Sequence, residues 1–338
     1  DDRLDTTLRV HNANDEIGQL AQRLIDMQQR LRARIEEERA VARGNTRVRQ
    51  ALDSAQTGLM VIDAEGQVAY ANPALLQLLG MPADALVGSD AVRLRDLHAA
   101  FADPEIDAIF CLRGGYGTPR LLDALDFDLL RANPKPFVGY SDITALHLAI
   151  NRYAGFVTFH GPMLNADLLG DKQPPTESSL FGLLRGQLGA GSVLTHPVAY
   201  PLTTIEPGIA CGRLMGGNLS MIAAVMGTPY EIDAEGIILF IEDVNEPIYR
   251  IDRLLTHLRL TGKLAQVAGV LVGDVAGVDS TALERLLKQT FEPLCIPVLS
   301  GWRSGHCDPN LTLPMGALVR LDAGEQRVVL EQDVVFNR

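Results

Sequence analysis

The alternation of apolar runs with helical segments after residue 90 most constrains the fold. Buried strands are predicted at Ile106–Leu112 and Phe137–Tyr140, and helices at Ala91–Ala102, Pro119–Leu125 and Asp142–Tyr153. Strands that alternate with helices form parallel sheets, because each helix carries the chain back to the start of the next strand. The sequence therefore predicts an α/β domain over 89–165.

A second mixed α/β domain is predicted over 205–338, after a polar stretch at 166–204 that is interpreted as a linker. Its strands and helices again follow one another along the chain. The predicted strands are Ala210–Met215, Gly236–Ile241, Ala268–Val272, Val319–Leu321 and Arg327–Leu330, and the predicted helices are Leu219–Met226, Tyr249–Thr261 and Ser280–Phe291.

Composition excludes several classes of protein. Of the 338 residues, 47% are hydrophobic and 21% charged, which argues against bulk disorder. The net charge of −12 argues against a nucleic-acid partner, since such proteins usually present a basic surface. No stretch reaches the ~18 apolar residues of a membrane span. The four cysteines lie far apart without a CxxC pair, so neither a disulfide framework nor a zinc knuckle is expected. These observations together predict a cytoplasmic protein.

The first 55 residues are predicted to form a long helix. Apolar residues recur at spacings of three and four, the pattern of a coiled-coil seam that would make the chain a homodimer. The alternative is an amphipathic helix packed on its own domain. The run from Asn14 to Leu20 resembles the second helix of HAMP signal-relay modules. The seam consists of Ile17, Leu20, Leu24, Met27 and Leu31.

Residues 56–88 differ in character, because 51–90 contain no basic residue. Two short apolar runs, Gly58–Asp63 and Gln67–Ala71, flank a turn, which predicts a hairpin. A helix is expected to begin at Ala74, after Asn72-Pro73. This order resembles the opening of a PAS sensory domain, but the later PAS strands have no counterpart, so the segment is interpreted as a PAS-like fragment without an assigned ligand.

Two motifs follow predicted strands of the first α/β domain. In Gly139-Tyr140-Ser141-Asp142 a serine stands at the carboxyl end of a parallel strand, where open α/β sheets bind ligands. The next backbone N–H can donate to an oxyanion there, although Ser141 could instead simply cap the helix. The glycines of Arg113-Gly114-Gly115-Tyr116-Gly117 free the backbone for close approach to a ligand, or form a plain tight turn.

The second domain offers two acids and a histidine. Glu242 and Asp243 end an apolar strand, where a carboxylate is placed to orient a histidine or merely lies in a solvated loop. His306 lies on a Gly-flanked loop that could present its ring to a cleft or to solvent, and His160 is its one rival. His306, Cys307 and Asp308 are adjacent in sequence and cannot easily bind one ion together, so no metal site is predicted.

These motifs, in this order, resemble the LD-carboxypeptidases, serine peptidases also called muramoyltetrapeptide carboxypeptidases. The resemblance covers about residues 88–335 and includes "CLRGGYG", "PKPFVGYSDITALH", "TFHGPM", "ILFIEDVNEPIYRIDRLL" and "SGHCDPNLTLPMGA". It implies a flavodoxin-like parallel sheet for the first domain, here incomplete. It also implies removal of the terminal D-alanine from murein tetrapeptides during cytoplasmic peptidoglycan recycling, with no metal or organic cofactor.

The resemblance also implies roles for particular residues. The family triad falls on Ser141, Glu242 and His306, with Asp243 left to structure. The backbone N–H groups of Asp142 and of the Gly114–Gly115 loop are implied as the oxyanion and substrate-binding donors. Relatives that cleave peptidyl-nucleotide antibiotics share this triad, so they remain an alternative within the hydrolases.

The chain departs from the family at its start. Members open with a strand, a Pro-Ser loop and a helix-strand unit, and residues 1–88 do not resemble these. Either Gly58–Asp63 substitutes for the first strand or the sheet keeps an exposed edge. A signalling or dimerisation module with a non-functional enzyme passenger is therefore the second alternative.

Overall fold

The computed structural model describes residues 60–62, 68–71, 89–168 and 172–334. The chain forms two compact units, Asp1–Gly88 and Ser89–Arg338. In the first unit, β1 (Met60–Ile62) pairs antiparallel with β2 (Val68–Ala71). The predicted helix and seam over 1–55, and the rest of the predicted PAS-like fragment, lie outside the described residues and stay predictions.

The second unit contains a small sheet and a large sheet. The four-stranded sheet has the order β11-β5-β4-β3, in which β3, β4 and β5 are parallel and β11 is antiparallel. Its strands are β3 (Ile109–Phe110), β4 (Phe137–Gly139), β5 (Thr158–His160) and β11 (Leu313–Met315).

The seven-stranded sheet has the order β13-β12-β7-β8-β9-β10-β6. Its centre, from β7 to β10, is parallel, and β13, β12 and β6 join antiparallel. The strands are β6 (Thr203–Glu206), β7 (Ile209–Asn218), β8 (Ile238–Val244), β9 (Gly269–Ala276), β10 (Val298–Ser300), β12 (Leu318–Asp322) and β13 (Arg327–Leu330).

Helices cover both sheets. The α-helices are α1 (Asp90–Ala102), α2 (Phe127–Ala132), α3 (Thr144–Ala149), α4 (Thr176–Leu184), α5 (Leu219–Ala224), α6 (Ile248–Leu260) and α7 (Ser280–Phe291). Shorter turns are 3-10 helical at Thr118–Ala124, Ser141–Ile143 and Glu292–Leu294, and π-helical at Ile150–Ala154 and Leu164–Leu168. No helix among the described residues is both long and apolar enough to cross a membrane.

Consecutive side chains of β8 pack into two different cores, because side chains alternate between the faces of a strand. Leu239 and Ile241 face the core that holds α5, α6 and α7. Ile238 and Phe240 face the core that holds Trp302 and one side of the small sheet. Burial on both faces explains why this strand is a continuous apolar run, and each such side chain contributes roughly 1.5–3 kcal/mol to stability.

The mixed α/β class is confirmed, while several element boundaries differ from the prediction. The strand predicted at Ile106–Leu112 is reduced to β3, which is half-buried and, among the described strands, pairs only with β4. The segment predicted as one helix over Asp142–Tyr153 is a 3-10 turn, then α3, then a π-helical turn. The segment predicted as a helix at Pro119–Leu125 is 3-10 helical.

The stretch 166–204, interpreted as a linker, contains a helix that belongs to a core. The nine-residue α4 buries Leu180 and Leu183 completely or nearly so. Strand β11 likewise comes from the second predicted domain but pairs with β5 of the first. The two predicted α/β domains are thus interlocked within one compact unit, and their boundaries stay a prediction.

Candidate functional site

Ser141 lies at a tight corner between β4 and the 3-10 turn that follows it. Tyr140 is extended, whereas Ser141 has a φ of +64°, which non-glycine residues seldom adopt. The turn begins at Ser141 itself and has no side-chain cap, so the simple capping role is not what this serine performs. Such strained positions cost about 1–3 kcal/mol and cluster at functional sites.

The glycine loop lies directly against Ser141. A Cβ atom placed on Gly114 would be 3.0 Å from the Ser141 Cβ and 3.2 Å from its Oγ, closer than ordinary contacts, so the missing side chain favours this close approach of the loop backbone. Gly115 has a φ of +118°, which also favours glycine. The two glycines predicted to act together with Ser141 are therefore on a segment that adjoins it.

Asp142 ties the loop to the corner. Its Oδ2 accepts from the backbone N–H of Thr118 at 2.9 Å, and its backbone carbonyl accepts from the Thr118 hydroxyl at 2.5 Å. Burial raises the pKa of Asp142, while the hydrogen bonds from Thr118 work in the opposite direction. The side chain of Asp142 is thus structural, and the predicted oxyanion role concerns its backbone N–H alone.

Glu242 and His306 form a close pair. The Nδ1 atom of His306 lies 2.7 Å from Oε2 of Glu242, whose side chain is fully buried. Glu242 sits where the register between β8 and β9 shifts, and such irregularities re-aim side chains next to functional sites. The ring of His306 meets that of Tyr140, the neighbour of Ser141, edge-on at 4.9 Å between centroids.

The pKa of Glu242 is lowered and that of His306 is raised. Burial by itself would raise the pKa of Glu242, but its interactions with His160 and His306 outweigh burial and lower the pKa to about 2. Burial would lower the pKa of His306, but the hydrogen bond and negative charge of Glu242 raise it above its ordinary value. The buried carboxylate is therefore ionised and stabilises an imidazolium.

Gly305 lets the histidine loop reach the carboxylate. A Cβ atom on this residue would lie 2.5 Å from Oε2 of Glu242, and its φ is +110°. The backbone N–H of Gly305 donates to Oδ1 of the buried Asn310 at 3.0 Å. Sequence reasoning did not single out Asn310, because nothing in the sequence distinguishes a buried asparagine that holds a loop from an exposed one.

The two other acids near Glu242 are engaged elsewhere. Asp243 accepts from the side-chain amide of Asn218 at 3.1 Å and from the backbone N–H and hydroxyl of Ser220 at 2.9 and 2.8 Å. Glu246 forms an ion pair with Arg250 at 2.9 Å. Asp243 thus holds the start of α5, the structural role expected for it.

His160, the rival histidine, lies on the other side of Glu242. Its Nε2 atom is 3.8 Å from Oε1 of Glu242, and its side chain is fully buried. The structure therefore brings both histidines to the same carboxylate. Within the ranges that the structure describes, no group of three or more His, Cys, Asp or Glu side chains could hold a metal ion.

Two family models match the chain. The LD-carboxypeptidase N-terminal domain matches residues 38–161, and the LD-carboxypeptidase C-terminal domain matches 211–321. The chain belongs to the LD-carboxypeptidase family. It is a serine-type LD-carboxypeptidase. The first match begins at residue 38, so it covers all of 56–88 and the end of the predicted helix over 1–55, a stretch that was not expected to resemble the family. The HAMP and PAS resemblances over 1–88 stay predictions.

Curated relatives carry related names. The chain is 44% identical over 257 residues to a probable murein peptide carboxypeptidase of Bacillus subtilis, which covers 74% of this chain and 79% of the relative. It is 34% identical over 253 residues to the murein tetrapeptide carboxypeptidase of Pseudomonas aeruginosa, covering 72% and 81%.

Solved structures share the fold. The microcin C7 self immunity protein MccF, in complex with glutamyl sulfamoyl guanosine, superposes with a TM-score of 0.66 at 28% identity, covering 73% of this chain and 82% of MccF. The muramoyltetrapeptide carboxypeptidase from Oxalobacter formigenes gives a TM-score of 0.63 at 29% identity, covering 75% and 89%.

Proposed function

We propose that the chain hydrolyses the L,D peptide bond to the terminal D-alanine of murein tetrapeptides, with Ser141 as nucleophile, His306 as general base and Glu242 as the carboxylate that orients it. The observation that carries this proposal is the 2.7 Å contact between the fully buried Glu242 and Nδ1 of His306. That contact leaves Nε2 of His306 available to the nucleophile. The names of the curated relatives support the murein substrate.

The proposed reaction proceeds through an acyl-enzyme. Nε2 of His306 takes the proton of the Ser141 hydroxyl as Oγ bonds to the scissile carbonyl carbon. The backbone N–H groups of Asp142 and of Gly114 or Gly115 donate to the oxyanion. When the C–N bond breaks, His306 returns the proton to the amine of the departing D-alanine. Water then attacks the ester by the same route and regenerates Ser141.

The proposal also covers the roles of the two predicted domains and the cellular setting of the reaction. Residues 89–165 contribute the nucleophile and 205–338 contribute the acid and base, so the site lies where the two predicted domains interlock. The setting proposed is cytoplasmic recycling of peptidoglycan, as the family resemblance implies. No metal or organic cofactor takes part in these steps, and EDTA is therefore expected to leave the rate unchanged.

The direct test is release of D-alanine from purified murein tetrapeptide. Ser141→Ala is expected to lower the rate by several orders of magnitude while circular dichroism shows an unchanged fold, because one member of a cooperative set is lost. Ser178→Ala, on the exposed side of α4, is the matched control and should keep the parental rate. A variant at Ser141 that retained more than a few percent of activity would exclude it as the nucleophile.

A parallel arm tests the two alternatives. Aminoacyl sulfamoyl nucleosides of the kind named in the MccF structures serve as substrates in the same assay. Cleavage of these compounds without release of D-alanine would favour the peptidyl-nucleotide hydrolase. A folded parental protein that acts on neither substrate would favour the non-functional passenger.

A further inference from the structure

His160 lies at the end of an inner strand of the small sheet, beside the proposed site. It ends β5, between β4 and β11, and stands opposite Gly139 in the register with β4. Its ring packs edge-on against Phe240 with 5.0 Å between centroids and lies 5.8 Å from the ring of Tyr140. The packing leaves the imidazole little freedom to rotate away from Glu242.

Two buried polar atoms at this contact have no other partner among the described residues. Within the described ranges, neither Nε2 of His160 nor Oε1 of Glu242 has a hydrogen-bond partner, and the two atoms are 3.8 Å apart. Burying an unmatched donor or acceptor is costly, so a facing pair of them calls for an explanation. A small movement of either side chain would bring donor and acceptor within hydrogen-bond distance.

We assign the tautomer of His160 from the contact at its other ring nitrogen. Nδ1 of His160 lies 3.4 Å from Oγ of Ser304, which is itself fully buried. When the Ser304 hydroxyl donates to Nδ1, the neutral ring carries its hydrogen on Nε2, which faces Glu242. His160 is then a neutral donor aimed at the carboxylate, not a second base.

We propose that His160 is a positioning residue that holds the second oxygen of Glu242 while His306 holds the first. A carboxylate held through one oxygen can still turn about its Cγ–Cδ bond, whereas contacts at both oxygens fix its plane. The fixed plane keeps Oε2 aligned with Nδ1 of His306 as the imidazolium forms. This inference rests on the function proposed above and adds a residue beyond Ser141, His306 and Glu242.

The test compares two substitutions at His160. In His160→Phe the ring shape is kept and the donor is lost. In His160→Gln an amide N–H takes the place of Nε2–H. We expect His160→Phe to lower kcat roughly 10- to 100-fold, the effect of one hydrogen bond to a charged group, with KM nearly unchanged. His160→Gln should recover most of kcat. Unchanged kcat in His160→Phe, or a folded His160→Gln as slow as His160→Phe, would overturn the proposal.

A spectroscopic readout separates this proposal from the proposed function. The proton NMR signal of the Nδ1–H of His306 reports its hydrogen bond to Glu242 whether or not the protein turns over substrate. The signal should move upfield in His160→Phe and stay in place in His160→Gln. A signal that is the same in all three proteins would refute the positioning role, whereas a parental protein that releases no D-alanine would refute only the function.

His147 provides the matched control. It is also fully buried, but its Nδ1 and Nε2 already bond to the Thr158 hydroxyl at 2.9 Å and the Gly139 carbonyl at 2.8 Å. His147→Gln should therefore leave the His306 signal in place. If His160→Phe does not fold, Ser304→Ala carries the test, because it removes the donor that keeps the hydrogen on Nε2. A several-fold fall in kcat at constant KM is then expected, and unchanged kcat would overturn the proposal.

Discussion

Replacement of Glu242 by glutamine tests the charge that the structure places next to His306. Glu242→Gln keeps the size of the side chain and removes the negative charge 2.7 Å from Nδ1. Breaking a buried charge pair by removing one partner costs about 3–5 kcal/mol. If that whole cost falls on the imidazolium of the transition state, at ~1.4 kcal/mol per decade the rate should fall roughly 10²- to 10⁴-fold.

The same substitution should move the acid limb of kcat/KM. The reactive form has a neutral His306, so activity is lost as pH falls through the pKa of this residue. Glu242 raises that pKa above the ordinary value of about 6.5, and the parental limb should therefore lie above ~6.5. In Glu242→Gln the effect of burial remains without the opposing charge, so the limb should shift to lower pH.

The assay is D-alanine release across a pH series, with Glu246→Gln as the matched control. Glu246 lies just before α6 and pairs with the exposed Arg250 of that helix, so Glu246→Gln should leave both the rate and the limb unchanged. A Glu242→Gln protein with the parental rate and an unmoved limb would refute the reasoning, because the charge of Glu242 would then not act on His306.

Three further predictions concern the loop that carries His306, the core around α4 and the predicted seam in the first 55 residues. Gly305→Ala should lower kcat at least tenfold, because its Cβ would lie 2.5 Å from Oε2 of Glu242, and parental kinetics would show that the loop adapts. Leu180→Ala should lower the free energy of unfolding by about 2–5 kcal/mol in urea titrations, as a core residue does, and a change below ~1 kcal/mol would mean that α4 is dispensable. The Leu20→Glu/Leu24→Glu double variant places like charges in the predicted seam and should give a smaller species by light scattering; an unchanged mass would contradict a dimer held by that seam.

The candidate site could be predicted from the sequence because its residues follow strands. Ser141 ends up after β4 and Glu242 near the end of β8, which is where parallel sheets present side chains. The corner at Ser141 follows the short buried strand β4, which the sequence shows as a short apolar run. The helix α4 was harder to predict, and the stretch 166–204 was interpreted as a linker instead. The sequence around α4 is mostly polar, and the residues that cover its short apolar face lie far away in the chain.

Local sequence thus determined the α/β class, the motifs and the chemistry that their side chains can perform. These depend on neighbours in the chain, on apolar periodicity and on the places where glycine is needed. Only the tertiary structure decided that β11 completes the small sheet and that Asp243 and Glu246 bond to other residues than His306. It also decided that His160 and His306 both lie against the carboxylate of Glu242. Apart from the Glu246–Arg250 pair, such contacts join residues more than twenty positions apart, and their geometry is set by the packing of two sheets, which no local pattern encodes.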